Sequence, residues 1–488
     1  RRPPRSTLFP STTLFRSHAQ AATNDFFTFD SLQRLIAVPT NAVPPSWLPP
    51  GPAGAQTQSP TPPRGIRVPE VVLKRQQREP GAAADVEWLP SQQPKLPSYL
   101  ASNDSFGNTA LHPGALFGMA PGEGWIQQGK YALSDIGLNY SLAQTFTVVG
   151  LTGHSQGEDV LGFYTFDWAA KWTVFDAPHV GTAGWLSTQI EAKAGLNRAA
   201  EQQSAQTNLG SLTNPTGIWS HHNGFRIPEL AWQQSAAHGD VVVLAGMVSQ
   251  GNYLDANSYA NSGRGQFMNS ALINSMVLPL PDYNLGLNVQ WQPVSEWYAM
   301  AGYTVGAASA GVAPWTDFAW DQWSSVAEFG YAPSDVLGLG PGIYRIQPFV
   351  AQSGGATQGG LGVNLQQQLG KRIPWGWFGR FGFGGSDVVA GAAAQVGTGF
   401  VVQAPLYHLG WIDSLPYDAA GIGVVWSRPP ESAGMATGRT ETALELGYVL
   451  HLTPTTRLQP DIQVVWNPSY SATADTAVVF QLQLDINW

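Results

Sequence analysis

The chain has 488 residues, only 12% of them charged, with 54 Gly, 19 Trp, no Cys, a net charge of −9 and a mean hydropathy of −0.11. The acidic balance offers no basic patch for nucleic acid, and the missing cysteine removes disulfides, thiolate metal sites and thiol nucleophiles. No run of 18 or more apolar residues occurs, so any crossing of a bilayer must be made by strands closed into a barrel.

Residues 1–17 (RRPPRSTLFPSTTLFRS) resemble translated sequencing-adapter read-through and are set aside as a sequence artefact. Ala19-Gln20-Ala21 carries the A-x-A pattern of a secretory cleavage site, which an ordinary alanine-rich stretch matches equally well. Residues 18–129 read as a Pro-rich N-terminal segment on the periplasmic side. Prolines cluster in Val43–Gly54 and Ser59–Arg64, where the missing backbone donors preclude a strand ladder. Leu73–Glu79 adds a small solvated charge cluster.

Residues 130–488 read as one barrel domain, because from Ser134 the pattern has period two. Ile136, Leu138 and Tyr140 alternate with Asp135, Gly137 and Asn139. Tyr164, Phe166, Trp168 and Trp172 alternate with Thr165, Asp167 and Lys171. Tyr283, Leu285, Leu287, Val289 and Trp291 face away from Asn284, Gly286, Asn288 and Gln290. Near the end, Leu444, Leu446, Tyr448 and Leu450 oppose Glu445, Gly447 and Val449. Val478, Phe480, Leu482, Leu484, Ile486 and Trp488 oppose Ala477, Val479, Gln481, Gln483 and Asp485. One half-polar strand fits any solvated antiparallel sheet; many in series, with no helical period between them, fit a transmembrane barrel. Tyr, Trp and Phe often close the apolar face, as interfacial girdles do, although sheet packing explains any single Trp.

The connections alternate long and short. Short ones fall near 177–180, at Ala237-His238, at Pro293-Val294 and at Thr453-Pro454. Longer ones fall near 194–227, 249–281, 308–322 and 467–474, while 404–417 breaks the alternation. The resulting fold class is all-β: a transmembrane antiparallel β-barrel of about 16 strands, wide enough for an aqueous channel. Candidate lumen-facing charges are Asp167, Lys171, Glu328, Arg345, Arg380, Glu445, Arg457 and Asp461. Both signs are present, so no strong ion selectivity follows.

Three other patterns point elsewhere. Gly153-His154-Ser155-Gln156-Gly157 matches the nucleophile elbow of serine esterases, but the alternation over Leu161–Val174 puts a strand where the elbow requires a helix. His221-His222 could contact a metal, yet adjacent side chains diverge and no third ligand is evident. The abundant Trp would suit a carbohydrate-binding module, whereas alternation over some 350 residues exceeds what a soluble lectin domain needs.

Two stretches resemble the carbohydrate-selective porin family (OprB-like). One is Asn252–Ser275 (NYLDANSYANSGRGQFMNSALINS), preceded by Glu229-Leu-Ala-Trp-Gln-Gln; the other is Glu441–Asn467 (ETALELGYVLHLTPTTRLQPDIQVVWN). The resemblance spans roughly 130–488 and departs at Trp488, where the family usually ends in Phe. It implies passive diffusion of small hydrophilic solutes, preferentially carbohydrates, across a bacterial outer membrane. It further implies contact with outer-membrane lipid, commonly a homotrimer, and no catalysis, cofactor or metal. A general non-selective porin is the alternative. The resemblance also suggests that 249–281 folds inward to narrow the pore. The loop's composition agrees: Asp255, Asn257, Tyr259, Asn261, Arg264, Gln266 and Asn269 offer the donors and acceptors that sugar hydroxyls need, and Tyr can stack on a sugar face. An Asn- and Gly-rich surface loop making turns would have the same composition.

Overall fold

The structure, a computed structural model, describes residues 116, 122–154, 156–177, 179–219, 224–281, 284–305, 321–353, 356–370, 375–385, 391–412, 418–431, 438–453 and 455–487. Ser155, the His221-His222 pair, Tyr283, Pro454, Trp488 and the Pro-rich stretch 22–100 lie outside these residues.

A helix α1 (Glu123–Asp135) precedes sixteen strands: β1 (Leu138–Thr152), β2 (Val160–Ala177), β3 (Thr182–Gly195), β4 (Gly224–Ala236), β5 (Val241–Val248), β6 (Asn284–Val294), β7 (Trp297–Val305), β8 (Trp323–Tyr331), β9 (Gly342–Ser353), β10 (Ala356–Leu369), β11 (Trp375–Gly384), β12 (Ala394–Gln403), β13 (Ala419–Arg428), β14 (Glu441–His451), β15 (Thr456–Trp466) and β16 (Thr476–Asn487). Every strand pairs antiparallel with its sequence neighbours. β1 pairs with β16 from Ala143↔Asn487 to Thr152↔Val478, which closes the barrel. The strand number agrees with the alternation in the sequence. Ile136 does not: it is the C-cap of α1, and Gly137 at φ +83° makes the break before the first strand.

The two faces are inverted relative to a soluble domain. On β16, Phe480 (51% exposed) and Leu482 (49%) point outward, while Gln481, Gln483 and Asp485 are buried inside. Around the barrel, Trp172, Trp232, Trp291, Trp297 and Trp375 form an outward band near the short turns, and Phe225, Tyr303, Phe383 and Trp466 form another near the long loops. An apolar exterior between two aromatic bands is stable only where hydrocarbon replaces water.

The turn-side connections 178–181, 237–240, 295–296 and 452–455 are short, and the loop-side connections 196–223, 249–283 and 306–322 are long. Three departures occur. The β8–β9 connection on the turn side runs over 332–341, the β9–β10 connection on the loop side is only 354–355, and the β12–β13 connection on the turn side is the long 404–418. The last departure has a local cause. Ala404, in the left-handed region at φ +42°, starts a one-turn helix at Pro405–His408. The excursion is pinched shut where Ala404 N–H donates to Asp418 O at 2.7 Å, and the Asp418 carboxylate accepts the Tyr448 hydroxyl.

Two outcomes test this architecture. L482R places a charge on the outward face near mid-strand and should destabilise the barrel by about 2–4 kcal/mol, read from denaturant unfolding in lipid vesicles. Burial pushes the Asp418 carboxyl up from 3.8 to about 7. The folded state therefore holds this proton more tightly than the unfolded chain, so stability should fall as pH rises from about 3.8 to about 7 and level off above that. D418N should flatten that slope in unfolding measured across the same range.

Candidate functional site

Both long loops that flank β4 and β5 fold into the barrel, and the residues that hold them there define its interior. The connection 249–283 leaves β5 in a short 3-10 turn (Gln250–Asn252). At its root Asn252 donates to Gln189 at 3.3 Å, and the Tyr253 hydroxyl donates to Glu229 at 2.8 Å. Asp255 follows in the left-handed region at φ +64° and is wholly buried. Its N–H donates to Glu328, its carboxylate pairs with Arg380 at 3.1 Å and accepts Ser275 N–H at 2.6 Å, and Asn364 donates to its Oδ1 at 2.6 Å. Asn257 donates to Asn364 at 2.7 Å. Tyr259 is 3% exposed and lies on Gly376, where a Cβ would stand 2.1 Å from the ring.

The arc then crosses to the opposite wall. Gln266 Oε1 accepts from Ser262 N–H at 3.0 Å and Asn261 N–H at 2.5 Å, which closes a turn. From this turn Arg264 donates to Thr145 at 2.9 Å and Thr165 at 3.0 Å and pairs with Asp167, with Asp485 at 3.8 Å. Phe267 and Leu272 lie over Gly421 and Gly423, a second place where absent side chains leave room for the loop. Asn269 caps helix Ser270–Ile273 through Ala271 N–H and donates to Gln463 at 3.0 Å.

The connection 196–223 enters beside it. Glu441 accepts Ser211 Oγ–H, Leu212 N–H, Thr213 N–H and Thr213 Oγ1–H at 2.7–2.9 Å. Gln463 and Gln481 both donate to Pro215 O at 2.9 Å. The two loops bond to each other: Gly217 N–H donates to Met268 O at 2.7 Å, and Ser270 N–H to Asn214 O at 2.9 Å. Glu445, four residues along β14 on the same face as Glu441, accepts Met268 N–H at 2.5 Å and Asn269 N–H at 2.8 Å. One strand thus grips both loops with two carboxylates.

The charges expected in the lumen sit on inward positions, and most have partners there. Arg345 lies 3.4 Å from Glu328, Arg457 pairs with Asp485, Asp461 accepts Gln463 at 2.9 Å, and Lys171 lies over the Trp185 ring at 4.5 Å. Not picked out from the sequence were Glu441, Glu229, Asp485, the Glu191 cluster with Lys193 (2.8 Å) and Arg226 (3.0 Å), and the wall amides Asn364, Gln395, Gln463 and Gln481. Parity along each strand would have found most of them; Glu441 has the parity of Glu445.

Of the loop residues proposed as sugar contacts, Asp255, Asn257, Tyr259, Arg264 and Asn269 are buried in these bonds, while Asn261 and Gln266 are half-buried together with Ser258. The physical reason is that a chain segment inside a lumen must satisfy its own backbone, and short polar side chains do this locally. Among the described residues no group of three His, Cys, Asp or Glu could hold a metal. The helix that an esterase needs after Ser155 is replaced by strand β2.

The sequence pattern of the family described as carbohydrate-selective porin, OprB family, matches residues 182–359 and 350–488. No curated relative matches the chain. The high-pH structure of Pseudomonas putida OprB is 18% identical with a TM-score of 0.61, covering 78% of this chain and all of that one; the low-pH structure is 16% identical with a TM-score of 0.48, covering 77% and all of that chain. The first of these supports the fold.

E445A would strip two buried N–H groups of their acceptor, a cost of about 1–3 kcal/mol for each. The barrel should still form, while loop 249–283 becomes cleavable by protease and open-channel current grows noisier in planar bilayers. E445Q, which keeps one acceptor oxygen, should fall between E445A and the parent.

Proposed function

We propose a transport function from one premise: this chain belongs to the carbohydrate-selective porin family. It is a channel and not an enzyme, an outer-membrane porin through which small hydrophilic solutes, carbohydrates above all, diffuse down their gradients. Its closed sixteen-strand barrel fits a Gram-negative outer membrane.

The finer reading concerns how the lumen favours sugars. The observation that carries it is the pairing of interior charges: Arg264 with Asp167, Arg380 with Asp255, Arg345 with Glu328, Arg457 with Asp485, and Lys193 and Arg226 with Glu191. Paired charges cast little field locally, and Glu441, Glu445 and Asp461 are enclosed by N–H, O–H and amide donors, so small ions gain little attraction along the wall. Amides and hydroxyls then provide the contacts. In this reading the passage runs between the arc 258–266 and the inner wall of β3–β4. Ser258 and Asn261 offer hydrogen bonds to the solute, and Asp255, Asn257, Tyr259, Arg264, Gln266 and Asn269 hold the arc in position. A carbonyl or carboxamide surface exchanges bonds with sugar hydroxyls at small net cost, which suits passage better than tight retention.

Single-channel conductance of refolded protein, titrated with glucose and maltose oligosaccharides, tests the selective reading. Saturable block, with glucose flux in liposome swelling, is the expected result. Flux of sugars and of unrelated solutes of equal size at equal rates, without block, would instead make this a general porin.

A further inference from the structure

The aromatic rings on the inner wall are covered by loop side chains or packed in the core, and one ring departs from that rule. Among the described strand residues the inward-facing aromatics are Phe163, Trp185, Tyr298, Phe349 and Phe378. Four of them are buried: Phe163 stacks on Trp219 at 4.4 Å, Phe378 meets Phe267 at 5.2 Å, and Tyr298 and Phe349 belong to the cluster under Leu254 and Val277. Trp185 is only half-buried.

Its inward direction follows from register. Trp185 faces Thr173 on β2 and Gln233 on β4, has the parity of Ser187 and Gln189, and carries the Lys171 ammonium 4.5 Å above its ring. The other tryptophans at this level, Trp172, Trp232, Trp291 and Trp297, point outward into the turn-side aromatic band. A large apolar ring left partly open in a polar, water-filled lumen costs free energy that an outward ring does not, and such exposed apolar surface is informative.

We infer that Trp185, with Lys171 and Gln233, forms a saccharide subsite on the turn side of the constriction. This rests on the carbohydrate reading above and adds a place where the solute pauses. Trp185 lies close to the start of β3, whereas Arg264 of the arc reaches Thr165 and Asp167, whose partner on β3 is Glu191, six residues further along. A solute that has passed the arc therefore meets the indole next. The C–H face of a pyranose packs on the indole face that Lys171 leaves open, while Lys171 and Gln233, both buried against the ring, hold it in place. Nearby, Ser187 donates to Glu229, which also accepts the Tyr253 hydroxyl, so that carboxylate is already engaged in holding the loop root.

Glucose and maltotriose block of W185A and W185F channels in planar bilayers tests the subsite, alongside glucose flux of the parent protein in liposome swelling. W185A should raise the half-blocking sugar concentration about fivefold while leaving sugar-free conductance in place, and W185F should retain most of the block. Block of W185A at the parent concentration overturns the subsite. A parent channel with neither block nor glucose flux overturns the carbohydrate reading and the subsite with it, and that failure is visible without any variant.

Discussion

Closure of β1 onto β16 is the constraint from which the rest of the molecule follows. In hydrocarbon an unpaired backbone N–H or C=O costs several kcal/mol, so a sheet survives only when its last strand bonds to its first. The register from Ala143↔Asn487 to Thr152↔Val478 does this. Once the ring is closed, each strand has one face in lipid and one in the lumen, and the period-two pattern has a single consistent reading all the way round. Phe480 and Leu482 outside, with Gln481 and Gln483 inside, are one instance of a rule that every neighbour must obey or the ladder would slip.

Closure also creates the space that the loops then fill. A ring of sixteen strands encloses more volume than wall side chains can occupy, and the two inward connections bring their own apolar residues to fill part of it. Leu254, Val277 and Leu278 pack against Leu244, Met300 and Val326. Tyr259, Phe267 and Leu272 pack against Phe378, Val401 and Val425. The wall beneath is shaped for this, since Gly362, Gly376, Gly382, Gly421 and Gly423 stand where a Cβ would touch a loop side chain. The interior is thus divided. Where loops lie, the wall sets glycines and apolar side chains beside the gripping groups Asn364, Arg380, Glu441 and Glu445; along β2–β4 it keeps Ser187, Gln189, Glu191, Lys193, Arg226 and Gln233.

Much of this was legible in the sequence, because a barrel writes its geometry into parity. Strand number, the alternation of long and short connections as far as β8 and the inward parity of Asp167 or Glu445 follow from alternation and turn length. Three things did not. Helix α1 has no clean apolar stripe, and its tail, Asp135-Ile136-Gly137, continues by chance the alternation of β1. The excursion at 404–418 depends on Ala404 and Asp418 meeting across fourteen positions, which no local pattern records. The loop interior was hardest. Composition marks Asp255, Tyr259 and Arg264 as polar groups in a lumen, but whether they meet a solute or the wall depends on partners such as Arg380, Gly376 and Asp167, far away in sequence.

The distinction between gripping and displaying residues bears on how selectivity could change in such a channel. The groups with strong, buried bonds fix where the arc stands: Glu445 with two backbone N–H donors, Arg380 with Asp255, and Arg264 with Asp167. Altering one of them moves the whole aperture and leaves partners unsatisfied inside the barrel. Ser258 and Asn261 are half-buried and less tightly held, whereas Gln266, also half-buried, closes the turn with its whole amide, accepting two N–H bonds and donating to Ser258 O. Ser258 is the least constrained in this respect: its N–H and Oγ both meet Gln366, a long side chain able to follow a change. A rigid frame of charge pairs with a few tolerant positions at its rim lets solute preference vary while the barrel and its loops stay in place.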